Sequence, residues 1–182
     1  MKIKNPFFNR DALILAQNLL GKKLVRKIGE RKITGIIVET EAYVGPKDKA
    51  SHAYKWKRTK RNEVEYLSGG YIYIYLCYGI HWQLNIVASK KGIPECVLIR
   101  ALELPEKTKN ASGPGKLCKW LKLDGSFNKE DITKSKRIWI EDGPKSNIVS
   151  AKRVGIDYAG IWAKKPLRFY IDLAHLNYLK EF

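Results

Sequence analysis

Two carboxylates and a phenol, Glu39, Glu41 and Tyr43, alternate along Val38-Glu39-Thr40-Glu41-Ala42-Tyr43. The stretch follows Ile33-Thr34-Gly35-Ile36-Ile37, so it falls late in a run that reads as a strand. Side chains alternate faces along a strand, which sends these three to one side and Val38, Thr40 and Ala42 to the other. Carboxylates at the end of an apolar strand are costly to bury without partners. Beside an aromatic ring they suit a site that deprotonates water next to a flat ligand.

Other residues fit the same chemistry. Arg100 interrupts the apolar run Val97-Leu98-Ile99-Arg100-Ala101-Leu102. A guanidinium buried there requires a carboxylate partner. Tyr71, Tyr73 and Tyr75 alternate along one face of Tyr71–Cys77, a pattern that usually means packing. The densest basic cluster is Lys55, Lys57, Arg58, Lys60 and Arg61, interleaved with Tyr54 and Trp56. Over the whole chain 35 Lys and Arg stand against 18 Asp and Glu, a formal charge of +17. Such an excess attracts polyanions. An acidic membrane surface is the poorer match, because no basic amphipathic helix with a clean apolar face stands out.

These residues need a scaffold. At 182 residues and 45% hydrophobic composition, one globular domain over 1–182 is expected. Asn9 to Gly21 reads as a helix capped by Asn9 and stopped by Gly21. Lys23–Arg26 and Ile33–Val44 read as strands around a Gly29-Glu30-Arg31 turn. Residues 45–68 form a polar, basic loop region opened by Gly45-Pro46. Tyr71–Cys77 and Trp82–Ala88 read as a hairpin with Tyr78-Gly79 at its tip. Val97–Leu102 reads as a central strand. Ser112 can cap a helix running to Trp120 and Leu121, with Pro114 in its first turn. Leu123–Lys136 is a polar insertion, Arg137–Glu141 a short strand and Leu167–Leu173 the last strand. The whole is an α+β fold, a curved antiparallel or mixed sheet with surrounding helices.

Cys77, Cys96 and Cys118 lie far apart without CxxC spacing and read as reduced core residues, neither a disulfide framework nor a zinc site. His52, His81 and His175 lack ligand spacing, so no metal is expected. No signal-peptide h-region or membrane-length apolar run is apparent, so an intracellular protein of cytoplasm or nucleoid, without membrane attachment, is expected.

Taken in order, several motifs resemble the alkyladenine (3-methyladenine, methylpurine) DNA glycosylase family. They are Glu39-Thr40-Glu41-Ala42-Tyr43, the stretch to Ser51-His52-Ala53, Thr59, Arg61 and Asn62, Tyr71 to Gly79 with Asn85, Val97 to Glu103, Ser112-Gly113-Pro114-Gly115-Lys116-Leu117-Cys118, and Lys164 to Tyr170. The likeness runs from near residue 10 to near residue 171. It implies a compact fold of the same kind and a monofunctional enzyme that hydrolyses the N-glycosidic bond of alkylated or deaminated purines in base excision repair. By the same resemblance Glu41 is the general base that activates water, and Arg100 helps hold that water. Tyr43, His52 and Tyr75 form the base pocket, Asn85 screens the purine 2-position, and Tyr78 is the wedge that fills the gap left by a flipped nucleotide.

Glu39 is expected to play a structural pairing role. Lys55, Lys57, Arg58, Arg61 and Lys116, the last at a helix start, are expected to contact the DNA backbone. Where the family pattern suggests a second, apolar inserting residue beside the wedge, ungapped counting places Glu65. The expected partner is double-stranded DNA carrying damaged purines, bound by a monomer without cofactor. The alternative is a non-catalytic module stacking single-stranded bases on Tyr71, Tyr73 and Tyr75.

Overall fold

The structure is a computed structural model and describes residues 1–105, 111–144 and 147–172. Helix α1 spans Ala12–Leu19 and starts later than the sequence suggests. Its cap is Asp11, whose carboxylate accepts the Ile14 N–H at 2.8 Å. Asn9 instead bonds Asn5 and the Gly69 N–H, tying the N-terminal segment to the start of a later strand. Gly21 has φ +79°, as a stop residue should.

Strands β1 (Lys23–Ile28), β2 (Arg31–Tyr43), β3 (Ile72–Cys77), β4 (His81–Val87) and β5 (Cys96–Glu103) match the expected segments to within a few residues. Strand β6 is the short piece Ala111–Ser112. Ser112 therefore lies in the sheet, paired with Ala101, and does not cap the helix that follows. That helix, α2, spans Pro114–Trp120 from Gly113, without a side-chain cap. Strands β7 (Ile138–Glu141), β8 (Ile148–Ala151) and β9 (Arg168–Ile171) complete the sheet. The sequence reading contains neither β8 nor the 3-10 stretch Asp157–Lys164. Leu173, its expected strand end, and His175 lie outside the described residues.

The strand order is β3-β4-β5-β2-β1-β7, with β9 pairing β2, β8 pairing β9 and β6 pairing β5. Every described strand pairing is antiparallel, so the sheet is not mixed. Alternation then divides its faces. Ile72, Ile74, Leu84, Ile86, Val97 and Ile99 enter the main core with Leu15, Leu19 and Leu117 of the two helices. Phe127 and Ile132, within the segment expected to be a polar insertion, are buried in that core as well. The intervening residues of β2 to β5 face the other way. Two irregular segments, residues 44–66 and 152–164, carry the groups that meet them there.

Candidate active site

Residues opposite one another in adjacent antiparallel strands share a face. One such row crosses four strands: Glu41, Leu98, Asn85 and Tyr73. Tyr43, Cys96 and Val87 form the next row, and Tyr75 pairs with Gln83 on its other side. These rows floor a cavity of about 390 Å³, closed by His52, Arg61 and Glu65 from one side and by Val154, Gly155, Ile156 and Tyr158 from the other. Of the residues singled out from sequence, Glu41, Arg100, Tyr43, His52, Tyr75, Asn85, Tyr78 and Arg61 all line it.

Glu41 is completely buried. Tyr43 donates its hydroxyl to Oε2 at 2.9 Å, and the backbone N–H of Val154 donates to Oε1 at 2.9 Å. The Arg100 guanidinium lies 3.3 Å from the same Oε1. Burial pushes the Glu41 carboxyl above its ordinary range, while Arg100, the Val154 N–H, the Tyr43 hydroxyl and Arg153 pull it back. Arg100 also bonds Glu39 at 3.1 Å, and Arg168 of β9 bonds the same Glu39 oxygen at 2.9 Å. Glu39 is thus the paired residue expected of it. A shift of register around Glu39 in the β2–β5 pairing sets Arg100 against both carboxylates.

The wall behind Tyr43 is absent from the sequence reading. Arg153 is fully buried and forms a two-pronged pair with Asp48, at 2.5 and 2.8 Å. It also donates to the Ala42 carbonyl and sits 4.7 Å above the Tyr43 ring. This pair joins the segment after β8 to the loop after β2, and so positions the Val154 N–H on Glu41. Asp48 and Arg153 are 105 residues apart. An acidic residue in a basic loop and a lone Arg before Gly155 were the only signals available.

His52 and Tyr73 share a hydrogen bond of 2.6 Å, and the His52 ring meets Tyr75 edge-on at 4.8 Å. Burial lowers the His52 pKa to about 4, helped by Arg61 and Lys57, so the imidazole is neutral near pH 7. Tyr73 is more than the packing residue expected: it lines the cavity and orients His52. Because Tyr73 is buried, Tyr71, Tyr73 and Tyr75 do not form the exposed platform that single-strand stacking requires. Asn85 is buried, donates to the Gln83 carbonyl at 3.3 Å and lies beside Cys96.

Tyr78 is 91% exposed at the tip of the β3–β4 hairpin, where Tyr78 and Gly79 both have positive φ. Lys55, Lys57 and Arg58 are exposed, with Arg58 stacked 4.9 Å over Tyr66. Arg61 differs from them: it donates to the Leu76 carbonyl and lies 4.8 Å over Tyr75, at the cavity itself. Lys116 is exposed in the first turn of α2, outside the cavity. Its neighbour Gly115 packs on His81, which puts this end of α2 beside the hairpin.

One cysteine expectation changes, since Cys77 is half-buried and lines the cavity; Cys96 is a free, buried core residue as expected and lines the cavity too. Glu65 also differs from expectation. It is buried in the 3-10 stretch Glu63–Tyr66 and lines the cavity. It is not a surface residue poised beside the wedge.

Known proteins place this arrangement. The sequence profile of the family described as methylpurine-DNA glycosylase matches residues 6–174. A protein of Natranaerobius thermophilus, provisionally named 3-methyladenine DNA glycosylase, is 44% identical over 94% of this chain and 96% of its own length. The DNA-3-methyladenine glycosylases of mouse and human are each 38% identical over 91% of this chain, which spans 58% and 64% of those longer proteins. Among the described residues no helix is long and apolar enough to cross a membrane. With its profile match over nearly the whole chain and a buried, partnered carboxylate in the cavity, the chain belongs to the methylpurine-DNA glycosylase family, whose members are repair hydrolases that cleave N-glycosidic bonds.

Proposed function

We propose that this protein extrudes alkylated or deaminated purines from double-stranded DNA and releases them by attack of a water activated by Glu41. The observation that carries the reading is the state of Glu41: a fully buried carboxylate, held on both oxygens, in the wall of a cavity with an exposed Tyr78 at its edge. A carboxylate so held cannot swing away, and its raised pKa makes it a better base than a free glutamate. It can take a proton from water and also face the positive charge that develops on the sugar as the glycosidic bond breaks. Arg100, bonded to both Glu39 and Glu41, is in position to hold the attacking water without neutralising the base entirely. Tyr43 and Tyr75 offer rings to a purine, with an added cation–π attraction for alkylated, positively charged bases. Asn85 is the candidate screen against the 2-amino group of guanine.

No lysine is found among the described residues lining the cavity. That favours a water nucleophile over an imine, and release of the base without cutting the strand. Tyr78 would occupy the gap in the duplex, and Lys55, Lys57, Arg58 and Lys116 would meet phosphates. The test is Glu41→Gln assayed on alkylated and on hypoxanthine-containing duplexes by counting abasic sites. Excision should drop by about 10² to 10⁴ while DNA binding persists. Turnover near that of the unaltered protein would exclude Glu41 as the base.

A further inference from the structure

The cavity holds a second buried carboxyl group that this mechanism does not use. Glu65 is 1% exposed. Its Oε1 accepts a hydrogen bond from the Cys96 thiol at 3.3 Å, and its Oε2 is buried with no hydrogen-bond partner. An unpaired polar atom sealed from water is costly, and in a ligand cavity it points to a group that arrives with the ligand.

Position says which part of the ligand. Glu41 stands on β2, whereas Glu65 packs on Cys96 of β5, close to Asn85 of β4. β2 and β4 lie on either side of β5, so Glu41 and Asn85 stand two strand spacings apart across the cavity floor, roughly 9–10 Å. That span accommodates a base together with the water that attacks it. If Glu41 works at the sugar carbon, the opposite end receives the purine edge farthest from the glycosidic nitrogen, which carries N1 and the 6-substituent.

We propose that Glu65 reads this far edge: its free Oε2 donates to a 6-oxo group or accepts from a 6-amino group, and so sets the preference between deaminated and adenine-type bases. The proposal rests on the reading of Glu41 as the base. A carboxylic acid suits hypoxanthine, to whose oxo group it can donate. A carboxylate suits alkyladenines, whose amino group and positive charge it can receive.

Which form is present depends on pH in the neutral range. Burial pushes the Glu65 carboxyl up to about 7, against the pull of the Cys96 thiol and the Asn62 amide. The other groups around it do not titrate there. The Cys96 thiol and the Tyr66, Tyr73 and Tyr75 phenols are all pushed upward, His52 is lowered to about 4, and the Arg61 guanidinium lines the same cavity. Glu41 faces the cavity from the other end, but its ionisation scales the release of both kinds of base and cancels in their ratio.

The experiment measures single-turnover release of hypoxanthine and of 3-methyladenine from duplex DNA between pH 5.5 and 8.5. The ratio of hypoxanthine to 3-methyladenine should fall about tenfold across this range, the size of one charge-assisted hydrogen bond. In Glu65→Gln, whose amide both donates and accepts at every pH, the ratio should be flat. In Glu65→Met it should be flat as well, with both releases slowed. A flat ratio in the unaltered protein, or a slope that survives in Glu65→Gln, overturns the proposal. The unaltered protein alone decides the matter if neither variant folds. Failure of the Glu41 reading would look different: Glu41→Gln would keep its turnover, whatever the ratio does.

Discussion

Glu41 and Glu65 sit in one cavity, are both buried and are both pushed toward protonation, yet their surroundings have opposite designs. Glu41 receives a phenol, a backbone N–H and a guanidinium. Glu65 receives one thiol with the Asn62 amide near it, and its Oε2 accepts no hydrogen bond. Burial alone raises a carboxyl pKa; what differs is how much of the charge the protein prepares to hold. Around Glu41 the charge is provided for in advance, as the role proposed for it as a base requires. Around Glu65 provision is withheld, and the missing partner is left to the ligand.

The sharpest way to break this comparison is to make the same isosteric change at both ends. Glu41→Gln should cost at least about a hundredfold in excision of every base. Glu65→Gln should leave excision within the range that one hydrogen bond controls, altering which base is preferred. Equal losses in a side-by-side abasic-site assay would erase the distinction between the two carboxyls.

The next effect concerns the wall that supports Glu41. Asp48→Asn leaves the Arg153 guanidinium buried with its charge uncompensated, an error typically worth about 3–5 kcal/mol. Urea unfolding should register that loss. Excision should fall as well, because the Val154 N–H follows Arg153 along the chain. A variant with unchanged stability would mean that the pair contributes nothing to holding the segment.

Glu65 has its own stability signature. Its folded-state pKa, about 7, lies above the ordinary value of 4.5, so the native state prefers the protonated form. That preference is fully favourable below the unfolded pKa and is lost as pH rises through about 7, at a cost of roughly 3 kcal/mol. Glu65→Gln carries no such burden. It should melt higher than the unaltered protein at pH 8.5, with the advantage vanishing near pH 5. A thermal gap that does not change with pH would show that Glu65 is already ionised or hydrated in the native state.

Smaller effects separate the cavity from its approaches. Tyr78→Ala should bring lesion-containing and intact duplex affinities together, since charge attraction needs no wedge. An unchanged lesion preference in a competition gel would remove Tyr78 from that role. Reversing the charges of Lys55, Lys57 and Arg58 should flatten the dependence of log K on log salt, by about 0.9 per lost phosphate contact. Titrations giving an unaltered slope would put the backbone contacts elsewhere.

The sequence was most informative where function and local geometry coincide. Period-two alternation placed Glu41 and Tyr43 on one face, and an Arg inside an apolar run announced a buried ion pair before either partner was visible. Elements that depend on distant partners were not legible. Arg153 is meaningful only beside Asp48, and β8 exists only because β9 pairs with it. Helix starts failed for a related reason. Asp11 and Asn9 both have capping chemistry, and their neighbours decided which of them caps, Asn9 being engaged by Gly69. Linear counting set Glu65 beside the wedge, but the 3-10 turn of Glu63–Tyr66 buries Val64 and Glu65.

The Val154 contact has one more consequence. The group that holds Oε1 of Glu41 from this segment is a peptide N–H, which nineteen of the twenty amino acids supply equally. The identity of residue 154 can therefore drift through evolution without cost to the hydrogen bond, provided the chain path is kept. Only proline deletes the donor. This part of the candidate active site is encoded in the course of the backbone, and a search for invariant side chains would pass over it.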